Sequence, residues 1–279
     1  MNFTVDKQWL KEQLHNEQVK IVDCRFELGN PEKGKQLYQE SHIPGAYYFH
    51  LEEQLSSPVS KHGGRHPLPD IEQFKTAIEE AGIDNTKTVI AYDAGAGQFA
   101  SRFWWLLRYL GHEDVFVLNE GFKGWTEAEY PTTKEIPEKT VAHFNIHLQN
   151  EMLASYEEVK EVVDQQKKSA TLIDSRDAQR YLGEVEPIDR IAGHIPGAIH
   201  KFWADGLEQG TFKDSNYQEK RFAELDRKEP VIVYCGSGVT AAPNYMALKM
   251  AGFEKVKLYA GSYSDWVSYE QNPVDRGSN

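Results

Sequence analysis

Four blocks of this chain occur twice, in the same order. "IVDCRFELG" (21–29) matches "LIDSRDAQR" (172–180), and "SHIPGAYYF" (41–49) matches "GHIPGAIHK" (193–201). "TVIAYDAGAG" (88–97) matches "PVIVYCGSGV" (230–239), and "LNEGFKGW" (118–125) matches "YAGSYSDW" (259–266). Asp23 and Asp174 lie 151 positions apart and Trp125 and Trp266 lie 141 apart, so the copies differ by loop lengths rather than by plan. A repeat this long is a duplicated domain, not a solenoid unit. Whatever fold one half adopts, the other must adopt too.

Within each half, short Val- and Ile-rich runs alternate with helical patterns. "TLIDS", "PVIVYC" and "KVKLYAG" read as strands, and "SYEEVKEVVDQQKK" and "TAAPNYMALKMAG" as helices, the first with Ser155 as N-cap. Strand–helix alternation predicts an α/β class for each half, a mainly parallel sheet with helices on both faces. The stretch 130–150, "YPTTKEIPEKTVAHFNIHLQN", has two prolines and little periodicity. The expected division is an N-terminal domain over 1–130, a linker over 131–150 and a C-terminal domain over 151–279.

The net charge of −12 over 279 residues argues against nucleic acid and anionic membranes as partners, since both require a basic footprint. No run approaches the roughly 18 apolar residues of a membrane span. The first residues show no secretory leader, and with two cysteines the expectation is reduced thiols in a cytoplasmic protein. No Cys/His spacing resembles a metal site, so no metal is expected.

One of those cysteines, Cys235, ends a predicted strand and is followed by Gly236, Ser237, Gly238, Val239 and Thr240 before a helix. Ligands of open α/β sheets bind at the carboxyl ends of strands. Glycines there let backbone N–H groups converge into an anion-favouring nest, which lowers a thiol's pKa. The other copy of the loop, "DAGAGQ", keeps the glycines and carries Asp93 in place of the cysteine. A carboxylate lacks the nucleophilicity of a thiolate, so the expectation is that Asp93 fills its own nest as a structural anion. Cys24 is expected to be a core thiol, and the aromatic run 102–110 to pack the core and the contact between domains. Trp125 and Trp266 are expected to be core anchors, and Arg25 and Arg176 structural partners of acidic groups.

The paired blocks resemble the signatures of tandem rhodanese domains over nearly the whole chain, and "CGSGVTA" resembles the loop of the mercaptopyruvate branch of that family. The resemblance implies a two-domain sulfurtransferase with an inactive N-terminal half and a catalytic C-terminal half. Cys235 would take sulfur from 3-mercaptopyruvate, release pyruvate and hold a persulfide. The acceptor would be a small thiol, cyanide or a reduced thioredoxin-like protein, with no organic cofactor.

The same resemblance implies that Arg180 and Arg190, in "RYLGEVEPIDR", hold the donor's carboxylate and carbonyl. Arg190 sits one residue further along than the family spacing. Gly236, Gly238, Val239 and Thr240 would complete the substrate loop. Ser237 would relay a proton with His66, in "GGRHPLP", and with Glu52, which stands where the family pattern has Asp. Related phosphatases end their cysteine loop with an arginine, and residues 236–242 have none. Thiosulfate:cyanide sulfurtransferase is the near alternative, although that branch carries basic residues just after its cysteine. A non-catalytic persulfide carrier is the alternative of another class.

Overall fold

The computed structural model describes residues 2–164 and 169–278. The first half runs β1 (Thr4–Val5), α1 (Lys7–Gln13), β2 (Val19–Asp23), α2 (Glu32–Glu40), β3 (Ala46–Tyr48), α3 (Ile71–Glu80), β4 (Thr88–Tyr92), α4 (Gln98–Tyr109), β5 (Val115–Leu118) and α5 (Gly121–Glu127). Its five strands form one parallel sheet in the order β1-β5-β4-β2-β3.

The second half runs α6 (Tyr156–Asp164), β6 (Thr171–Asp174), α7 (Ala178–Leu182), β7 (Ile199–His200), β8 (Leu207–Glu208), β9 (Thr211–Phe212), α8 (Ser215–Arg221), β10 (Val231–Tyr234), α9 (Ala241–Met250), β11 (Val256–Leu258) and α10 (Ser262–Trp266). Four strands form a parallel sheet in the order β11-β10-β6-β7, and β8 and β9 make a separate antiparallel hairpin. A parallel bridge from Leu153 to Leu258 stands where β1 meets β5 in the first half. The chain is therefore two α/β units with parallel sheets, as the repeat predicts. Ser155 Oγ accepts from the Glu158 N–H at the start of α6, and residues 165–168 of the helix predicted there lie outside the described residues.

The duplication extends to individual hydrogen bonds. Arg25 forks onto Asp23 and donates to the Ser41 carbonyl, and Arg176 does the same with Asp174 and Gly193. Tyr92 Oη accepts from the Ile43 N–H, as Tyr234 Oη accepts from that of Ile195. Tyr38 and Tyr181 donate to the Ala46 and Ala198 carbonyls. Trp125 and Trp266 donate their indole N–H to Pro131 and Pro273, at 2.8 Å in both cases. Each repeated block supplies one member of a buried polar network that fixes how β2 or β6 sits on its neighbours.

The halves share one core. Helices α4 and α9 are buried nearly all round, the pattern of helices sandwiched between layers. They pack on each other, with Trp104 and Trp105 of α4 against Tyr245 of α9. Cys24 lies in this core, where burial raises its pKa well above the usual thiol value. Residues 131–149 hold no helix or named strand. They are held mainly to the first half, by paired Thr133–His42 backbone bonds and the buried Phe144 ring. Among the described residues no helix is long and apolar enough to cross a membrane.

Trp266 is fully buried and holds the segment that follows α10 through Pro273. Trp266→Ala is expected to cost about 3–5 kcal/mol, the usual range for emptying a buried aromatic site. Urea denaturation of the full chain measures it.

Candidate active site

Cys235 directly follows β10, and the chain turns through 236–240 into α9. The turn needs a glycine at 238, where φ is +77° and a Cβ would collide with the Ala260 carbonyl oxygen. This brings the Gly238 N–H to 3.1 Å from Cys235 Sγ. The loop is pinned from beneath: the Cys235 N–H donates to Ser262 Oγ, and the Tyr263 and Ser264 N–H groups donate to the Cys235 and Gly236 carbonyls. Ser237, Gly238 and Val239 are buried, and Thr240 is half-buried and caps α9 through its backbone alone.

The first half covers this loop. Residues 62–66 lie along 261–269: the Gly63 N–H donates to Asp265, the Arg65 N–H to Ser264 Oγ, and the His62 ring stacks on Tyr269. Gly64, at φ +82°, lets this segment approach Gly261 where a side chain would collide. This docking delivers His66, whose Nδ1 lies 2.8 Å from Ser237 Oγ. Glu52 stands 3.9 Å from His66 Nε2, beyond hydrogen-bond reach, with its side chain 47 % exposed. Burial, together with the Arg102 and Arg65 guanidiniums, holds the His66 pKa down at about 4. His66 is therefore neutral at pH 7 and makes no ion pair with Glu52.

Two guanidiniums flank the mouth of the loop. A Cβ on Gly236 would lie 2.8 Å from Arg65 Nη2 and 3.3 Å from both terminal nitrogens of Arg180. Asp189 joins them, one carboxylate oxygen on Arg65 and the other 2.8 Å from Arg180. Glu186 takes Arg180 Nε at 3.0 Å and Arg176 at 3.2 Å. Arg190 does not reach this cluster. It is exposed and donates to the Val267 carbonyl at 2.8 Å. The second cation at the mouth is Arg65, from the other half, and sequence reading missed it. Its signal is "GGRH", two glycines that permit close backbone approach, followed by the expected relay histidine.

Arg102 was missed as well. It is fully buried on α4 and donates to Gly238 O of the cysteine loop at 3.2 Å, and to the Leu55, His66 and Pro67 carbonyls. Burial lowers its pKa to about 10, which leaves it charged at pH 7.

In the first half's loop, the Asp93 carboxylate accepts from the N–H groups of Gly95, Gly97, Phe99 and Ala100 at 2.9–3.2 Å. Burial pushes its pKa up, and these four donors hold the rise in check. The nest is filled from within, as the sequence comparison anticipates. The second half's hairpin seals it: Phe212 packs on Gly97 and donates its N–H to Asn119, and Gly210 lies against the Gly95 carbonyl. Among the described residues one group of potential metal ligands occurs, Glu32, His50 and Glu53. Both His50 nitrogens are already engaged, with the Glu52 N–H and the Pro31 carbonyl.

Comparison with known proteins fits this geometry. The rhodanese-like domain model matches residues 6–128 and again 155–269. A probable 3-mercaptopyruvate sulfurtransferase of Pseudomonas aeruginosa is 40% identical over 276 residues, covering 97% of this chain and 96% of that protein. The thiosulfate sulfurtransferase of Rattus norvegicus is 32% identical over 279 residues, covering 94% and 91%. The crystal structure of a 3-mercaptopyruvate sulfotransferase from Escherichia coli superposes with a TM-score of 0.84 at 33% identity, covering 95% of this chain and all of that one.

Two measurements test the electrostatics. Asp93→Ala leaves four loop N–H groups without their acceptor and is expected to cost on the order of 3 kcal/mol by urea denaturation. His66 binds its proton near pH 6.5 in the unfolded chain and near 4 in the folded one, so the unfolded chain holds more protons in between. Its contribution is intact above pH 6.5, and roughly 3 kcal/mol is lost as pH falls to 4. His66→Gln is expected to remove that part of the acid limb, read as a shallower fall in Tm from pH 6.5 to 4.

Proposed function

Since the chain belongs to the rhodanese-like domain family and is a sulfurtransferase, we propose that it moves sulfane sulfur from 3-mercaptopyruvate through Cys235 to a thiol or cyanide, releasing pyruvate. The observation that carries this reading is the pair of guanidiniums converging over Gly236 beside a loop that itself has no cation. A donor with one carboxylate and a thiol fits such a mouth. The carboxylate lies across Arg65 and Arg180, whose planar forks suit it, and the sulfur reaches toward Cys235.

In the first half-reaction the Cys235 thiolate attacks the donor sulfur. The S–S bond forms as the C–S bond breaks, and the electron pair of that bond leaves on pyruvate enolate, which then takes a proton. In the second, an acceptor thiolate attacks the outer sulfur and Cys235 departs as thiolate. Neutral His66 and the Ser237 hydroxyl form the proton path, with His66 Nδ1 and Ser237 Oγ sharing one hydrogen bond. Glu52, 3.9 Å from His66 Nε2, is too distant to complete a triad in this geometry. Residues 151–279 carry out the chemistry in this reading, and residues 1–130 contribute Arg65, His66 and the wall behind the loop.

Cys235→Ser is expected to abolish both pyruvate release and the persulfide mass shift. Arg180→Ala and Arg65→Ala are each expected to lower kcat/KM for mercaptopyruvate by about 10-fold or more, mostly through KM, the scale of one charge-assisted hydrogen bond. A wild-type kcat/KM higher for thiosulfate than for mercaptopyruvate would overturn the donor assignment.

A further inference from the structure

The guanidiniums at the mouth are not free cations. Arg65 and Arg180, with Arg176 beside them, face Asp174, Glu186 and Asp189, and each arginine lies on at least one carboxylate. Charge in the cluster is balanced, three against three. Asp174 and Arg176 belong to the repeated buried network, which the first half matches with Asp23 and Arg25. Glu186 ties that network to Arg180 and accepts the Ile188 and Asp189 N–H groups, which fixes the turn.

Asp189 has no such structural duty elsewhere. Its side chain is 3% exposed, and both oxygens are spent on the two arginines that face Gly236, one from each half of the chain. Burial and the Arg180 guanidinium lower the Arg65 pKa, consistent with two cations held close together. Asp189 is the charge that lets them stand there. Arg65 Nη2 and Arg180 Nη1 make no hydrogen bond to protein among the described residues, so each retains N–H donors for a ligand.

We propose that Asp189 determines specificity by charge, holding Arg65 and Arg180 together while neutralising enough of their charge that the mouth favours a monoanionic sulfur donor over a dianionic one. The proposal rests on the functional reading above. A carboxylate donor brings one negative charge to a neutral cluster, whereas thiosulfate brings two beside an existing carboxylate. Like charges brought together at a desolvated site are strongly disfavoured. No cation lies in residues 236–240 to offset the second charge.

The test is Asp189→Asn, with Asp189→Glu as the charge-preserving control. The first readout is kcat/KM for mercaptopyruvate and for thiosulfate at fixed ionic strength. The second is protection of Cys235 from alkylation by iodoacetamide, with pyruvate as monoanion and sulfate as dianion, and it needs no turnover. Asp189→Asn is expected to shift both preferences toward the dianion by about tenfold or more, and Asp189→Glu to stay near wild type, since one unit charge acts strongly across a few ångströms. The shift in Asp189→Asn is expected to shrink at high salt. Unchanged ratios, or a parallel loss for both anions, would overturn the proposal and leave Asp189 as a structural tie. If wild-type protein turns over no mercaptopyruvate, the donor reading fails, and the protection arm still decides what Asp189 does. Should Asp189→Asn not fold, a shift toward the dianion in Asp189→Glu also overturns the proposal.

Discussion

A buried charge has to be answered by its surroundings, and Arg102 shows how far that requirement reaches here. Its guanidinium is wholly out of solvent on α4 of the first half, and it is charged at neutral pH. Its acceptors are backbone carbonyls: Gly238 in the cysteine loop, His66 in the segment covering that loop, and Leu55 and Pro67 outside that segment. Losing any of them leaves a buried cation short of acceptors, a cost of kcal/mol rather than tenths. One side chain thus couples the shape of the cysteine loop, the position of His66 and the packing of α4 on α9. Cys235 sits in one half while the geometry of its loop depends on the other. That dependence gives a physical reason for an N-terminal half whose own loop carries Asp93 rather than a thiol to persist beside the cysteine loop.

The two halves exchange covers. Residues 62–66 of the first lie on the Cys235 loop, and the β8–β9 hairpin of the second lies on the Asp93 loop. The duplication supplies equivalent loops, but the covering segments differ completely in sequence, and so do the outcomes. One cover brings Arg65 and His66 to the rim. The other brings Gly210 and Phe212, which close the mouth over Asp93 with backbone and an aromatic ring. The symmetry is kept where it makes a core and broken where it makes a site.

Legibility in the sequence follows the same division. The fold was readable because each repeated block carries a local pattern: a strand, a helix, or an Asp-x-Arg fork that closes within two residues. The turn of the cysteine loop was readable for the same reason, since Cys235 and the glycines that shape it are adjacent in the chain. The rim was not. Arg65 reaches Asp189 across 124 positions, on a segment without periodicity, and nothing local marks it as a partner of Arg180. Arg190 drew attention because it is an arginine near the expected spacing. In the structure Asp189, one residue earlier, points into the site, and Arg190 turns outward to Val267. Glu52 was found by position in a pattern, yet its distance from His66 depends on how an exposed loop settles, which no spacing encodes.

The two loops also explain what a thiol gains from the position that Asp93 holds in the other copy. Four N–H groups converge on the Asp93 carboxylate and satisfy it. In the cysteine copy one N–H, that of Gly238, reaches the sulfur. The N–H groups of Ser237 and Val239, which match those of Gly95 and Gly97, make no hydrogen bond to protein among the described residues. A thiolate is smaller in reach than a carboxylate, and a persulfide is longer by one sulfur. A nest sized for a carboxylate is therefore underused by the resting cysteine and better matched once a second, charged sulfur is attached. In the functional reading advanced above, the donors left over in the resting loop favour the intermediate more than the starting thiol, which is the direction in which binding energy accelerates a transfer.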